Sequence, residues 1–305
     1  MGPDFQLFLQ QLLNGLTIGM VYALIALGYT MVYGIIQLIN FAHGEIFMVG
    51  AYLGLTAIGI AALLGAAVPW WAVIIFVFLF AAAGSALLGG LIEKTAYKPL
   101  RGSPKLTALI TSIGVSFFLQ NAVMLIYGAR EQNVPEILPA KQWDVAGISI
   151  SLIQLVIFGV SVSLMVFLTW FIKNTRMGKA MRALSENPEA ARLVGIPVNR
   201  VIRTTFMMGS ALASVAGVLF ALNYGSVNFH DGYLAGLKAF TAAVFGGIGS
   251  IPGAMLGGIL LGVFEGLGAG YLSSEWKDVF AFLILVIVLI FKPSGMLGEN
   301  VPEKV

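Results

Sequence analysis

The chain contains no cysteine and only two histidines. Without thiols there is neither a disulfide framework nor a thiolate metal centre, and a lone His and Glu with no other ligand set are poor evidence for any other metal site. Charge is scarce too: Asp, Glu, Lys and Arg make up 10% of the residues, where a soluble domain carries about 25%. No nucleophile–base–acid set, paired carboxylates or cofactor fingerprint occurs, so nothing points to an enzyme or to a bound cofactor. The Gly-rich stretch 245–262 is not followed by the Gly-Lys-Ser/Thr of a phosphate-cradling loop. Residues Met1–Phe5 lack a basic region ahead of the first apolar run, so no cleaved signal peptide is expected.

Apolar residues fill the gap. They form 59% of the chain, in runs near the roughly 20 residues needed to cross about 30 Å of hydrocarbon. The fold class is therefore an all-α, polytopic integral membrane protein, one transmembrane domain over residues 1–305. The 37 glycines fit, because glycine lets membrane helices approach closely. Eleven of the 17 Lys and Arg lie in two segments, 93–105 and 173–203. This is no nucleic-acid surface; basic segments beside apolar spans mark the cytoplasmic side.

The first span runs from about Leu7 to Ile36 and begins with an amphipathic piece, which either lies at the interface or forms the first turns of one long helix. Residues 37–45 interrupt the apolar run. Spans follow at about Ile46–Leu64, Ala72–Ile92 and residues 106–127. The connection 128–149, with three acidic and two basic residues, is expected outside. Residues 150–172 then return to the cytoplasmic loop 173–203, so both basic segments fall on one side. A span at about 204–222 comes next. The stretch Lys238–Gly268 reads as two pieces meeting at Ser250–Pro252, either two spans or a re-entrant piece and a span. A last span covers about Val279–Phe291, for eight or nine in all. The breaks at 37–45 and 246–253 resemble each other faintly, as in transporters built from repeats with discontinuous helices.

Few residues carry chemistry. Asn40, His43 and Glu45 share one break between apolar spans. They line a pathway or gate, or they cap helix ends at the cytoplasmic surface. Glu265, within a span, is either a proton relay or a paired structural group, and Lys238 is expected to snorkel to the interface. Gly253/Gly257 and Gly258/Gly262 have the G-x-x-x-G spacing of close helix packing. In the cytoplasmic loop, Asn187-Pro188 starts a helix, with Asn as N-cap and Pro in the first position. Glu189 suits the helix dipole and Gly195-Ile196-Pro197 ends the helix after about seven residues. So short a helix needs a surface to hold it, a partner protein or anionic lipid.

The same short helix holds Glu189-Ala190-Ala191 and, three residues later, Gly195, which resembles the E-A-A-x-x-x-G coupling motif of bacterial ABC-importer permeases. The wider stretch from Met177, residues 22–54, residues 238–258 and the C-terminal Lys-Pro-Ser-Gly-Met-Leu-Gly resemble the branched-chain amino acid permease family, in particular the H-type subunits of high-affinity leucine/isoleucine/valine importers. The Ile-x-Leu-Pro usual downstream of the motif is replaced here by Gly-Ile-Pro-Val-Asn-Arg. The resemblance implies a multi-pass subunit in a bacterial inner membrane. Its partners would be a second homologous permease, two cytoplasmic ATPases that bind the ATP, and a periplasmic binding protein delivering a small amino acid; the pair of permeases would work by alternating access. Glu189, Ala190, Ala191 and Gly195 would belong to the helix seated in an ATPase. Relatives of this family carry urea, amides or other small solutes, and two other classes stay open on the residues alone. One is a passive channel whose half-helix ends, 40–45 and 249–254, meet at a filter. The other is a secondary transporter using Glu45 or Glu265 for ion coupling.

Overall fold

A computed structural model describes residues 3–63, 68–145, 147–292 and 294–298. The chain opens with α1, Pro3–Ile36, one unbroken helix of 34 residues whose first turns are the amphipathic piece. Gln37 ends it with a left-handed φ of 51°. Then come α2 (His43–Leu63) and α3 (Trp70–Ile92), which runs on through a π turn, Glu93–Tyr97, and a 3₁₀ turn, Lys98–Leu100. After α4 (Lys105–Tyr127), the outer connection forms β1 (Gln132–Asn133) and a hairpin of β2 (Gln142–Val145) and β3 (Ile148–Ser151). Helix α5 (Leu152–Asn174) starts with a capping box, Ser151 and Gln154 each bonding the other's backbone N–H.

The expected loop 173–203 is mostly helical: α6 (Arg176–Glu186), α7 (Pro188–Leu193) and the first turn of α8 (Val198–Tyr224) fill it. The reason is that α6 is amphipathic, burying Gly178, Met181 and Leu184 and turning its charges outward. Beyond α8 lie β4 (Ser226–Val227), α9 (Asp231–Gly246), α10 (Ile251–Tyr271) and α11 (Lys277–Phe291). Among the described residues seven helices, α1–α5, α8 and α10, are long and apolar enough to cross a membrane. Helices α9 and α11, with 16 and 15 residues, reach only some 24 and 22 Å at about 1.5 Å per residue, yet the chain after α11 returns to the α9–α10 turn, where the Met296 and Leu297 N–H groups donate to the Phe245 and Gly246 carbonyls, both at 2.9 Å. Of the two readings of residues 238–268, the lengths favour the re-entrant piece plus a span. Pro293, expected to end the last span, and Leu64, expected to end the second, lie outside the described residues.

Helices α1 and α8 form the centre, with 78% and 72% of their most apolar stretch buried, against 17% for α4. Helix α10 runs antiparallel along α1. A β-carbon at Gly258 would collide with the backbone of Ala23, and one at Gly262 with Gly19. Gly253 and Gly257, on the other face, meet Gly246 and Ala242 of α9 in the same way. The two G-x-x-x-G pairs thus serve two different neighbours, each at backbone contact, where dispersion and not the hydrophobic effect holds membrane helices together.

The two ends are distinct. At one, β1 pairs antiparallel with β4, Gln132 opposite Val227, and Gln10 of α1 exchanges two bonds with the backbone of Ser149, at 3.2 and 3.0 Å. At the other, the fully buried Glu93 accepts from Arg101 and, at 3.4 Å, from Arg203, while Arg101 also donates to Asn199. Those contacts hold both basic segments at one end, as expected of two segments on the same side of the membrane.

Candidate translocation and coupling site

At the end that carries both basic segments the backbone builds a short projecting helix. Thr175 caps α6, its hydroxyl accepting from the Gly178 N–H at 3.0 Å. Asn187 caps α7, its Oδ1 accepting from the N–H groups of Glu189 and Ala190, both at 3.0 Å, as the Asn-Pro start requires. Gly195, at φ 81°, turns the chain back so that the Ile196 N–H reaches the Ala191 carbonyl at 3.0 Å. Helix α7 has six residues. Of the four motif residues, Glu189, Ala190 and Gly195 are exposed, whereas Ala191 is buried against the rest of the chain. The apolar projection comes from Leu193 and Val194, 89% and 75% exposed, which motif matching passes over. Burial lowers the pKa of Arg101, the nearby Glu93 opposes this, and Arg192 and Arg203 add to the lowering; a guanidinium stays charged throughout.

The second constellation lies half-way along the helices. The break after α1 covers only 37–42, so His43 and Glu45 stand in the first turn of α2. The local cause is Asn40: its side chain accepts from the Ala42 N–H at 3.1 Å and its carbonyl from the His43 N–H at 3.0 Å, which closes a turn and launches the helix. Residues 228–230 repeat this arrangement. Asn228 accepts from the His230 N–H at 3.0 Å through its side chain and from the Asp231 N–H at 3.1 Å through its carbonyl, and α9 begins there. The sequences match as well: Asn40-Phe41-Ala42-His43-Gly44 against Asn228-Phe229-His230-Asp231-Gly232. The counterpart of the first break is therefore 228–232 and not 246–253.

The two launched helices meet at their first turns. A β-carbon on Gly44 would strike the backbone of Gly232 and Gly236, and one on Gly232 would strike the Glu45 carboxylate. From this crossing α2 runs outward, where Thr56 bonds Tyr127 at the end of α4 at 2.6 Å. Helix α9 runs inward to the 247–250 turn beside Gly34 of α1. The residues facing the crossing are Gly209, twelfth of the 27 residues of α8, and Ser116, twelfth of the 23 of α4. His43 is buried between Gly28 and Gly209, its ring edge-on to Tyr29 at 4.6 Å. Asn40 is buried and accepts a 2.6 Å bond from the Tyr97 hydroxyl. Glu45, 1% exposed, accepts from the Ser116 hydroxyl at 3.2 Å. Three polar atoms here, Asn40 Nδ2, His43 Nε2 and Glu45 Oε2, have no hydrogen-bond partner among the described residues.

Asn40, His43 and Glu45 are thus brought to one place, away from the surface, and Glu265 is not among them. Glu265 accepts from Lys238 at 2.8 Å, and the same ammonium lies 2.6 Å from Asp278 and 3.4 Å from the Tyr22 hydroxyl. Lys238 does not snorkel. It is 5% exposed, because α10 and α11 each supply it a carboxylate where α9 has no route to the headgroups. The stretches 40–45 and 249–254 have different neighbours, Gly44 lying on Gly232 and Gly236 and Gly253 on Gly246, because the latter stretch closes the inner turn and begins α10.

Comparison with known proteins fits this architecture. The family described as "Branched-chain amino acid transport system / permease component" matches residues 11–289. The high-affinity branched-chain amino acid transport system permease protein BraD of Pseudomonas aeruginosa is 49% identical over 99% of this chain and 100% of its own length. Its counterpart LivH of Salmonella typhimurium is 48% identical over the full length of both. A probable LivH of Methanocaldococcus jannaschii is 28% identical over 91% of this chain and 88% of its own. On this match the chain belongs to the branched-chain amino acid transport permease family, and it is a multi-pass membrane component of a transport system.

Proposed function

We propose that the chain is a permease subunit of an ATP-driven importer that carries branched-chain amino acids across a bacterial inner membrane. The observation that carries this is the near-half identity along the entire length of relatives named for that transport. A second homologous permease completes the pathway, two cytoplasmic ATPases bind and hydrolyse the ATP, and a periplasmic binding protein delivers the solute. The chain itself performs no hydrolysis.

The geometry supports a route for the work. An ATPase docks on α7 through Glu189, Ala190, Leu193 and Val194, with Gly195 setting the turn and Ala191 anchoring the helix to the permease. ATP binding displaces α7, and the motion passes to α8 directly and to α3 through Glu93, Arg101 and Arg203. Helix α8 holds His43 at Gly209, so its movement acts on the α2–α9 crossing, which serves as the gate with Asn40, His43 and Glu45 around it. Alternation needs states that differ in affinity for ATP and binding protein, since equal affinity shifts nothing. A proton relay through Glu265 gains no support, because its Oε1 is held in a buried ion pair by Lys238.

Purification of the tagged chain from membranes tests the assembly. It should bring down a homologous permease and two ATPases, and Glu189→Lys or Gly195→Val should lose the ATPases while keeping membrane insertion and the second permease. ATPases retained by both variants, with normal uptake, would refute the coupling assignment.

A further inference from the structure

The Glu45 carboxylate has an unusual setting. It is 1% exposed, half-way along the bundle, and among the described residues no Lys or Arg pairs with it. Its Oε1 takes one neutral bond from Ser116 at 3.2 Å, and its Oε2 takes none while lying against Gly232 in the first turn of α9. The other acidic group at the crossing, Asp231, is already used: its carboxylate accepts from the Asn228 N–H at 2.7 Å. His43 faces the opposite side, towards Gly28 and Gly209. Two helix N-termini, those of α2 and α9, flank Glu45, and their dipoles favour a negative charge there. When ionised, this carboxylate has those partial charges around it but no counter-cation among the described residues.

The cover over it is light. Helix α4, the least buried of the long helices, supplies only Ser116 to Glu45 and, one turn on, Gln120 to His230 at 3.0 Å. Beneath this cover Glu45 Oε2 is an acceptor with no partner among the described residues.

We infer that Glu45 is the transient binding site for the ammonium group of the amino acid in transit, the cargo providing the missing counter-charge. This rests on the importer reading above and names the chemistry by which the gate recognises its cargo. It predicts selection for solutes that bear a protonated amine, beyond any selection by the binding protein.

The test uses the complete importer, with its binding protein, in liposomes and measures leucine molecules carried per ATP hydrolysed. Glu45→Gln keeps the shape and the Ser116 bond but removes the charge; it should lower the ratio by about tenfold or more, the loss expected of one charged hydrogen bond. Glu45→Asp, which keeps the charge, should recover more of the ratio than Glu45→Gln. Ser116→Ala, which removes only the neutral partner, should cost less than Glu45→Gln. A normal ratio in Glu45→Gln, a Gln variant equal to or better than Asp, or a Ser116→Ala loss as large as that of Glu45→Gln would each overturn the assignment. If the unaltered importer moves no leucine on ATP, the importer reading fails instead.

Discussion

Removing the ammonium of Lys238 should unfold the inner half of the bundle more readily than any surface change. Lys238 and Glu265 have side chains only 6% and 8% exposed. Lys238→Met keeps most of the apolar stem and deletes the charge, leaving the Glu265 carboxylate buried without a cation. Breaking a buried pair from one side costs roughly 3–5 kcal/mol. Asp278, at 37% exposure, adds little, because an exposed pair contributes about 0–1 kcal/mol. Glu265 therefore dominates the loss, and Lys238→Met/Glu265→Gln, which removes the orphaned charge, should be more stable than Lys238→Met alone. Denaturant titration in mixed micelles, followed by the fluorescence of the five tryptophans, measures both. A Lys238→Met loss below about 1 kcal/mol, within the range of ordinary substitutions, would refute the reasoning, as would a double variant no more stable than the single one.

Three further outcomes follow from the same contacts. Leu193→Asp, at a position 89% exposed, should change stability by less than about 0.5 kcal/mol yet weaken ATPase binding in pull-down, and unaltered binding would remove Leu193 from the docking surface. Glu93→Gln strips Arg101 and Arg203 of their shared anion and should cost about 1–3 kcal/mol, read by the same titration together with a lower uptake rate. Gly44→Val forces a side chain into the backbone of Gly232 and Gly236, an overpacking cost of about 1–3 kcal/mol or more, and should stop uptake. Gly59→Val in the same helix, where nothing lies near, should be tolerated, and equal damage at both sites would argue against the crossing as a gate.

Much of this molecule was legible beforehand, and the reasons are local. A long apolar run between polar ends reads as a spanning helix whatever surrounds it, so α1 to α5, α8 and α10 fall close to expectation. The cap at Asn187-Pro188 and the stop at Gly195 involve neighbours in sequence, and α7 begins and ends accordingly. Depth was not legible. Hydropathy reports the length of a run and not where it starts, so the half-way origin of α9, and with it the re-entrant path, emerges only from Gly232 lying on Gly44 and Glu45, far away in sequence. The matching Asn-Phe-x-x-Gly turns at 40–44 and 228–232 are the sequence signal that could have pointed to it, and the pairing of 37–45 with 246–253 passed over them. The Lys238–Glu265–Asp278 cluster joins three helices, and no spacing rule reaches across them. Ala191 shows the converse: a motif residue that the fold buries, while Leu193 and Val194, outside the motif, present the exposed surface.

Import of amino acids by this chain at the expense of ATP is open to direct test. The direct measurement is uptake of labelled leucine into liposomes holding the chain, its homologous permease and both ATPases, with binding protein outside and ATP inside. Accumulation that needs both ATP and binding protein, and that disappears with Gly195→Val, is the predicted result. Accumulation by the chain alone, or driven by an ion gradient without ATP, would contradict the account.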